Sequence, residues 1–133
     1  MAFQFSVAAR NAALDAIETA AGTAPTLTIR TGSVPANCAA ARSGTVLATL
    51  VLPSDWLGAA SAGSKALSGT WQDAAADATG TAAHFSIDQG ATCHLQGTVT
   101  ATGDGGDMQL DTVSIATGQQ VTITAFTLTA GGA

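Results

Sequence analysis

Charge is scarce in this chain. Of 133 residues, 4 are Lys or Arg and 9 are Asp or Glu, which leaves a formal net charge of −5. Four basic side chains (Arg10, Arg30, Arg42 and Lys65) cannot neutralise the run of phosphates that nucleic-acid affinity needs, so nucleic acid is excluded as a partner. Tyr is absent and aromatic residues make up 5% of the chain, so a cleft lined with sugar-stacking rings could draw only on Trp56 and Trp71 beside four Phe. No segment approaches the roughly 20 consecutive apolar residues of a membrane-spanning helix, and no membrane partner is expected. The chain is nevertheless 47% hydrophobic, too apolar and too weakly charged for a disordered polymer. Its 15 glycines lack the three-residue period of collagen.

What is present is small residues. Ala (30), Thr (20) and Gly (15) together form close to half the chain. Its length suits one domain, since single cores usually enclose roughly 100–200 residues. A surface of Thr, Ser, Ala and Gly is poorly protected against edge-to-edge association, which fits a subunit that packs against neighbours. The start, Met-Ala-Phe-Gln-Phe, has neither the basic opening nor the apolar run of a secretory signal. Synthesis in a cytoplasm without export by that route is expected. Cys38 and Cys93 would support one disulfide, but a cytoplasmic origin favours two buried thiols acting as small apolar groups.

Residues 6–21 are predicted to form the helix. Ser6 is a good N-cap, Val7, Leu14, Ile17 and Ala21 fall along one stripe interrupted by Asn11, and Gly22 followed by Pro25 ends the segment. Arg10, Asp15 and Glu18 are expected largely off that stripe. After Pro25 the period changes from helical to two. Strands are predicted at 26–31, 45–52, 66–77, 82–88, 92–100, 108–115 and 121–129, the sixth with a bend and the last with a bulge near Ala125-Phe126. Residues 54–65, beginning with Ser54-Asp55-Trp56-Leu57, read as a long loop of contact-surface type. The pattern predicts a mainly β fold: a single antiparallel β-sandwich or barrel of about seven strands over 26–131, with one short N-terminal helix, in a single domain spanning 1–133.

Candidate chemistry is sparse. His84 and Cys93 could meet across the hairpin 82–100, but Cys93 and His94 point to opposite faces. With Asp88 or Cys38 as additions the set still falls short of the four convergent ligands of a closed zinc site. Asp104, Asp107 and Asp111 lie on a Gly-rich turn that does not match a helix–loop–helix calcium site, and a solvated turn is the expectation. No Gly-x-Ser-x-Gly element and no Ser–His pairing stands out, and Asp73, Asp77 and Asp88 are not drawn together by any pattern. No enzyme activity, cofactor or metal is expected. The interface candidates are Val7, Leu14 and Ile17 on the helix, and Trp56 and Leu57 at the head of the long loop; Trp56 reads equally well as a core lid, and Trp71, inside a strand, reads as core.

Several stretches carry a resemblance: Leu27-Thr28-Ile29-Arg30-Thr31-Gly32-Ser33-Val34-Pro35-Ala36-Asn37, Gly44-Thr45-Val46-Leu47-Ala48-Thr49-Leu50, Leu95-Gln96-Gly97-Thr98-Val99, and Gly118-Gln119-Gln120-Val121-Thr122-Ile123-Thr124. In this order, behind a short amphipathic helix, they make the chain resemble small β-rich structural proteins of tailed-bacteriophage virions. The resemblance implies a non-enzymatic subunit located in the virion, assembled in the host cytoplasm, most simply a capsid cement or decoration protein. Its partners would be the major capsid protein or other virion proteins and further copies of itself, for example in a trimer. A tail, fibre or baseplate subunit is the alternative within that class. A carbohydrate-binding β-sandwich using Trp56 or Trp71 is the alternative outside it.

Overall fold

A computed structural model describes residues 3–132. One helix, α1 (Val7–Ala21), precedes eleven short strands: β1 (Thr26–Arg30), β2 (Val46–Val51), β3 (Ser64–Ala66), β4 (Trp71–Asp73), β5 (Gly80–Thr81), β6 (His84–Gln89), β7 (Thr92–Ala101), β8 (Met108–Leu110), β9 (Ser114–Ile115), β10 (Val121–Ile123) and β11 (Thr127–Thr129). The mainly β class with one N-terminal helix is as the sequence predicts. Strands outnumber the expected seven because two longer segments break and two short strands, β3 and β5, form where loop was expected. Residues 66–77 keep only Trp71–Asp73 as a central strand, 108–115 divides into β8 and β9, and 121–129 divides into β10 and β11. That last break falls at the predicted switch of face, and it lets Phe126 turn into the core.

The main sheet has the order β2-β1-β6-β7-β8. Three two-stranded ribbons, β10-β4, β11-β3 and β5-β9, complete the β structure. Pairing is antiparallel everywhere among these strands except between β7 and β8, where Val99, Thr100 and Ala101 run parallel to Met108, Gln109 and Leu110. Parallel neighbours normally need a crossover of a dozen or more residues. Here the return is made in the six residues between the strands, because the chain doubles back along β7. Gly106 N–H donates to Thr100 Oγ1 (2.9 Å), and Asp107 Oδ2 accepts from Thr98 N–H (3.0 Å) and from the Thr98 hydroxyl (3.1 Å).

Alternation along the strands gives the main sheet two different faces. One carries Leu27, Ile29, Leu50, Phe85 and Ile87, all buried. The ribbons close over it through an aromatic chain in which Trp56 meets Trp71 (6.0 Å between centroids), Trp71 meets Phe126 (5.4 Å) and Phe126 meets Phe85 edge-on (5.7 Å). Such geometries add to the burial of the rings. Gly97 pairs with Phe85 across the β6–β7 ladder, and a Cβ there would approach the Phe85 ring to 2.9 Å, so glycine makes room for the aromatic chain.

The other face is polar: Thr28, Ser86, Asp88 and Gln96. The segment 32–44 folds over it. Arg42 lies across the strands, donating to Ser86 Oγ (3.3 Å) and pairing with Asp88 (2.9 Å). Gln96 Nε2 donates to Pro35 O (2.9 Å). Cys38 and Cys93 are disulfide-bonded, with Cα atoms 5.3 Å apart, and they pin this cover to β7. The expected pair of free buried thiols is therefore corrected. The sulfurs are joined, and both residues are only half-buried.

The helix is bound to the domain. Ser6 Oγ accepts from Ala9 N–H (3.1 Å), and Gly22, at φ 79°, donates its N–H to Glu18 O (2.9 Å). The inward face carries Arg10, Asn11, Leu14, Ile17, Glu18 and Ala21. Leu14, Ile17 and Ala21 are as predicted, but Val7 overhangs the domain and is 48% exposed. The expectation that Arg10 and Glu18 lie off the docked stripe is overturned: Glu18 pairs with Lys65 (2.9 Å), and the Arg10 guanidinium packs against Gly63.

Candidate functional site

The sequence-predicted interface residues separate into two groups. Trp56, Leu57 and Leu14 are buried, and Ile17 is half-buried, so none of these four offers a free docking surface. Trp56 Nε1 donates to Gly22 O at the end of α1 (3.1 Å), and Leu57 N–H reaches the Glu18 carboxylate (3.4 Å). What reads in sequence as a contact loop at 54–65 is instead the cradle of the helix. Its centre is Lys65, only 4% exposed, whose Nζ contacts Asp15 (2.7 Å) and Glu18 (2.9 Å). Burial disfavours the ammonium, but the hydrogen bonds and charges of Asp15 and Glu18 outweigh it and hold the Lys65 pKa above its ordinary 10.5. Gly63 N–H donates to Asn11 Oδ1 (2.9 Å) at a tight turn where φ is 78° and where a Cβ would strike the Arg10 guanidinium. Asn11, an interruption in the apolar stripe, is thus a docking residue.

The chemistry-bearing residues are dispersed. In the β6–β7 hairpin His84 faces Thr98 while Asp88 faces Cys93, so the suggested meeting of His84 and Cys93 does not occur. His84 is buried with Nδ1 at 3.0 Å from Gly32 O, and the Cys93 sulfur is bonded to Cys38. Among the described residues no three His, Cys, Asp or Glu side chains converge as metal ligands. Asp107 is used to hold the β7–β8 return. Trp56 and Trp71 are wholly buried, which removes the two rings on which the carbohydrate-binding alternative rested.

Open strand edges and exposed apolar side chains remain. The outer edge of β2 is closed: Asp73 accepts from Thr49 N–H (2.9 Å), Asp77 accepts from the Thr49 hydroxyl (2.8 Å), and Asp77 N–H donates to Leu47 O (2.7 Å). By contrast β8 pairs only with the end of β7, so Thr92–Gly97 has no strand on its outer edge among the described residues. β11 pairs only with β3. Between β7 and β11 runs a groove of about 470 Å³. Thr127, Leu128 and Thr129 all line it, as do the neighbours Leu95 and Gln96. Consecutive strand residues point to opposite faces, so the groove must run along the strand edges. Phe85 and Phe126 contribute the aromatic part of its lining.

The large exposed apolar side chains lie mainly in front of the helix. Phe3 is 81% exposed and Phe5 52%, with Val7 next in the same alternation and Val51 standing apart on β2. Phe5 N–H donates to Gly132 O, which anchors this N-terminal arm beside the segment that follows β11. Sequence reading missed the arm because Phe3 and Phe5 precede the helix cap and belong to no periodic element. Their alternation with Gln4 was the available signal. Comparison with known protein families, curated proteins and solved structures finds no match to this chain.

Proposed function

We propose that this protein is a non-enzymatic structural subunit of a tailed-bacteriophage virion, acting as capsid cement or decoration by contact with the major capsid protein and with copies of itself. The observation that carries the reading is the exposed Phe3-Gln4-Phe5 arm, anchored at Phe5 and projecting apolar rings from a domain whose potential ligands and nucleophiles are scattered. Exposed aromatic side chains in alternation are anchors for a partner surface, where such rings supply most of the contact energy. The weakly charged surface is consistent with this, since a cement subunit must lie close against its neighbours. The Cys38–Cys93 disulfide fits a protein whose working life is spent outside a reducing cytoplasm, as on a released particle.

Quantitative mass spectrometry of purified particles tests the reading. A stoichiometry matching the capsid lattice, lost in a Phe3→Ser/Phe5→Ser variant that still folds, is the expected result. A stoichiometry matching the tail would transfer the protein to the tail-subunit alternative. Absence from particles would end the virion assignment.

A further inference from the structure

We infer that residues 32–44 form a redox latch: the Cys38–Cys93 bond holds this segment over the polar face of the main sheet, and reduction by a dithiol lifts it while the rest of the fold stays closed. The inference stands on the geometry of the cover and does not depend on the virion reading. Three observations lead to it.

The first is how little else holds the segment. It contains no helix or strand, and none of its residues is buried, although His84 and Ser86 beneath it are wholly inaccessible. It therefore gains little from burying its own side chains. Among the described residues its polar ties to the sheet are few. Arg42 reaches Asp88 (2.9 Å) and Ser86 (3.3 Å), Gln96 Nε2 donates to Pro35 O (2.9 Å), and His84 Nδ1 donates to Gly32 O (3.0 Å). An irregular segment held by such ties regains its backbone freedom once the covalent one is cut.

The second is what closure leaves unpaired. Arg30 Nε, His84 Nε2 and Gln96 Oε1 are buried on this face with no hydrogen-bond partner among the described residues. Arg30 and His84 are register partners on β1 and β6. Water reaches these atoms when the cover lifts, so their hydration favours the open state. The covalent bond and the unpaired polar atoms oppose one another, which makes the cover a two-state element biased by the state of two sulfurs.

The third is access and confinement. Both cysteines are partly exposed, and Cys93 follows the exposed Gln89-Gly90-Ala91 turn on the stretch of β7 that has no strand along its outer edge. A thiolate can reach the bond without unfolding the domain. It attacks one sulfur, the Sγ–Sγ bond breaks and a mixed disulfide forms; the second sulfur of the dithiol then displaces the first from the protein. Two electrons and two protons pass to the protein, leaving Cys38 and Cys93 as thiols and the dithiol as its own disulfide. A disulfide oxidant such as oxidised glutathione runs the exchange backwards. Neither cysteine belongs to the apolar cluster on the opposite face, so that cluster loses no contact.

Treatment of the purified full chain with dithiothreitol, without denaturant, tests the inference. Two thiols should titrate, and amide exchange across 32–44 should rise about tenfold or more while Leu27 and Ile29 stay protected. Oxidised glutathione should restore the slow exchange. His84 gives an independent readout. Its Nδ1 holds the ring proton against the Gly32 carbonyl, so Nε2 is the free nucleophile, shielded by the cover. After the thiols are blocked with iodoacetamide, diethylpyrocarbonate should acylate His84 in reduced protein and spare it in oxidised protein, with His94 as the internal standard. Cys38→Ser/Cys93→Ser should show the open pattern with or without dithiothreitol. Any of three results overturns the latch: a bond that dithiothreitol leaves intact in the folded protein, thiols that titrate while 32–44 and His84 stay protected, or loss of protection at Leu27 and Ile29 together with 32–44.

Discussion

Phe85 and Ser86 are neighbours on β6, both fully buried, and they face opposite sides of the main sheet. Phe85 points into the aromatic chain that links sheet and ribbons. Ser86 points into a polar layer, 3.0 Å from Thr28 Oγ1 and 3.3 Å from Arg42 Nε. The apolar side holds itself together, because every ring added removes more surface from water. The polar side has no such drive. Three of its buried polar atoms, Arg30 Nε, His84 Nε2 and Gln96 Oε1, have no hydrogen-bond partner among the described residues. An unsatisfied buried polar group costs about 1–3 kcal/mol, so hydrogen bonds alone hold such a cover weakly. The covalent Cys38–Cys93 link and the Arg42–Asp88 pair supply what burial does not. One sheet is therefore closed in two ways: by the hydrophobic effect on one face and by cross-linking on the other.

The comparison can be broken from either side, and the largest effect is expected on the apolar face. Phe85→Ala should cost about 3–5 kcal/mol in denaturant unfolding, since it empties a site that Gly97 already keeps clear for the ring. Next comes the polar face's covalent link: Cys38→Ser/Cys93→Ser should cost about 2–4 kcal/mol by the chain-entropy argument. Its signature is selective exchange of amides in 32–44, with those of Leu27 and Ile29 still protected. If the apolar face opened first, the division of labour between the faces would be wrong.

The helix cover gives a third, intermediate case, because it joins Leu14 and Ala21 to a buried charge. Lys65→Met should cost about 1–3 kcal/mol in thermal unfolding. The pH dependence comes from the raised Lys65 pKa. Its contribution is fully present below the ordinary value of 10.5 and is lost as pH rises through the higher folded value. Wild type should therefore lose stability at strongly alkaline pH, and Lys65→Met should lose less over the same range. The smallest effect is expected for Ser86→Ala, about 1 kcal/mol, because Arg42 keeps Asp88 when Ser86 Oγ is gone. A loss as large as that of Phe85→Ala would mean that the polar layer is a cooperative network.

Much of this fold is legible in local pattern. The Ser6 cap, the Gly22 stop, the alternation of Leu27 with Ile29 and the face switch before Phe126 all depend on residues within a few positions of one another. The misreadings share a different origin. Trp56 and Leu57 come after Pro53-Ser54-Asp55 and stand at the head of what looks like a loop, and packing on Trp71 and Leu67 together with the arrival of α1 buries them. Lys65 looks like a solvated loop end, and Asp15 and Glu18, about fifty residues earlier, make it a buried anchor. The exposure of Phe3 and Phe5 is hardly legible, because three residues of alternation before the helix cap are too few to mark a face.

By itself, then, the sequence determined the features that period and composition dictate: a mainly β chain with one capped helix, two cysteines available for a single bond, and a low content of charge. Only the tertiary structure decided which of those parts meet. It joined Cys38 to Cys93, placed the β7–β8 pair parallel, turned Leu14, Trp56 and Leu57 inward, and left the arm and the β7–β11 groove open. The reason is physical. Caps, turns and alternation are short-range backbone preferences written into neighbouring residues, whereas burial, charge pairing and open strand edges depend on contacts between segments distant in the chain, which no local pattern encodes.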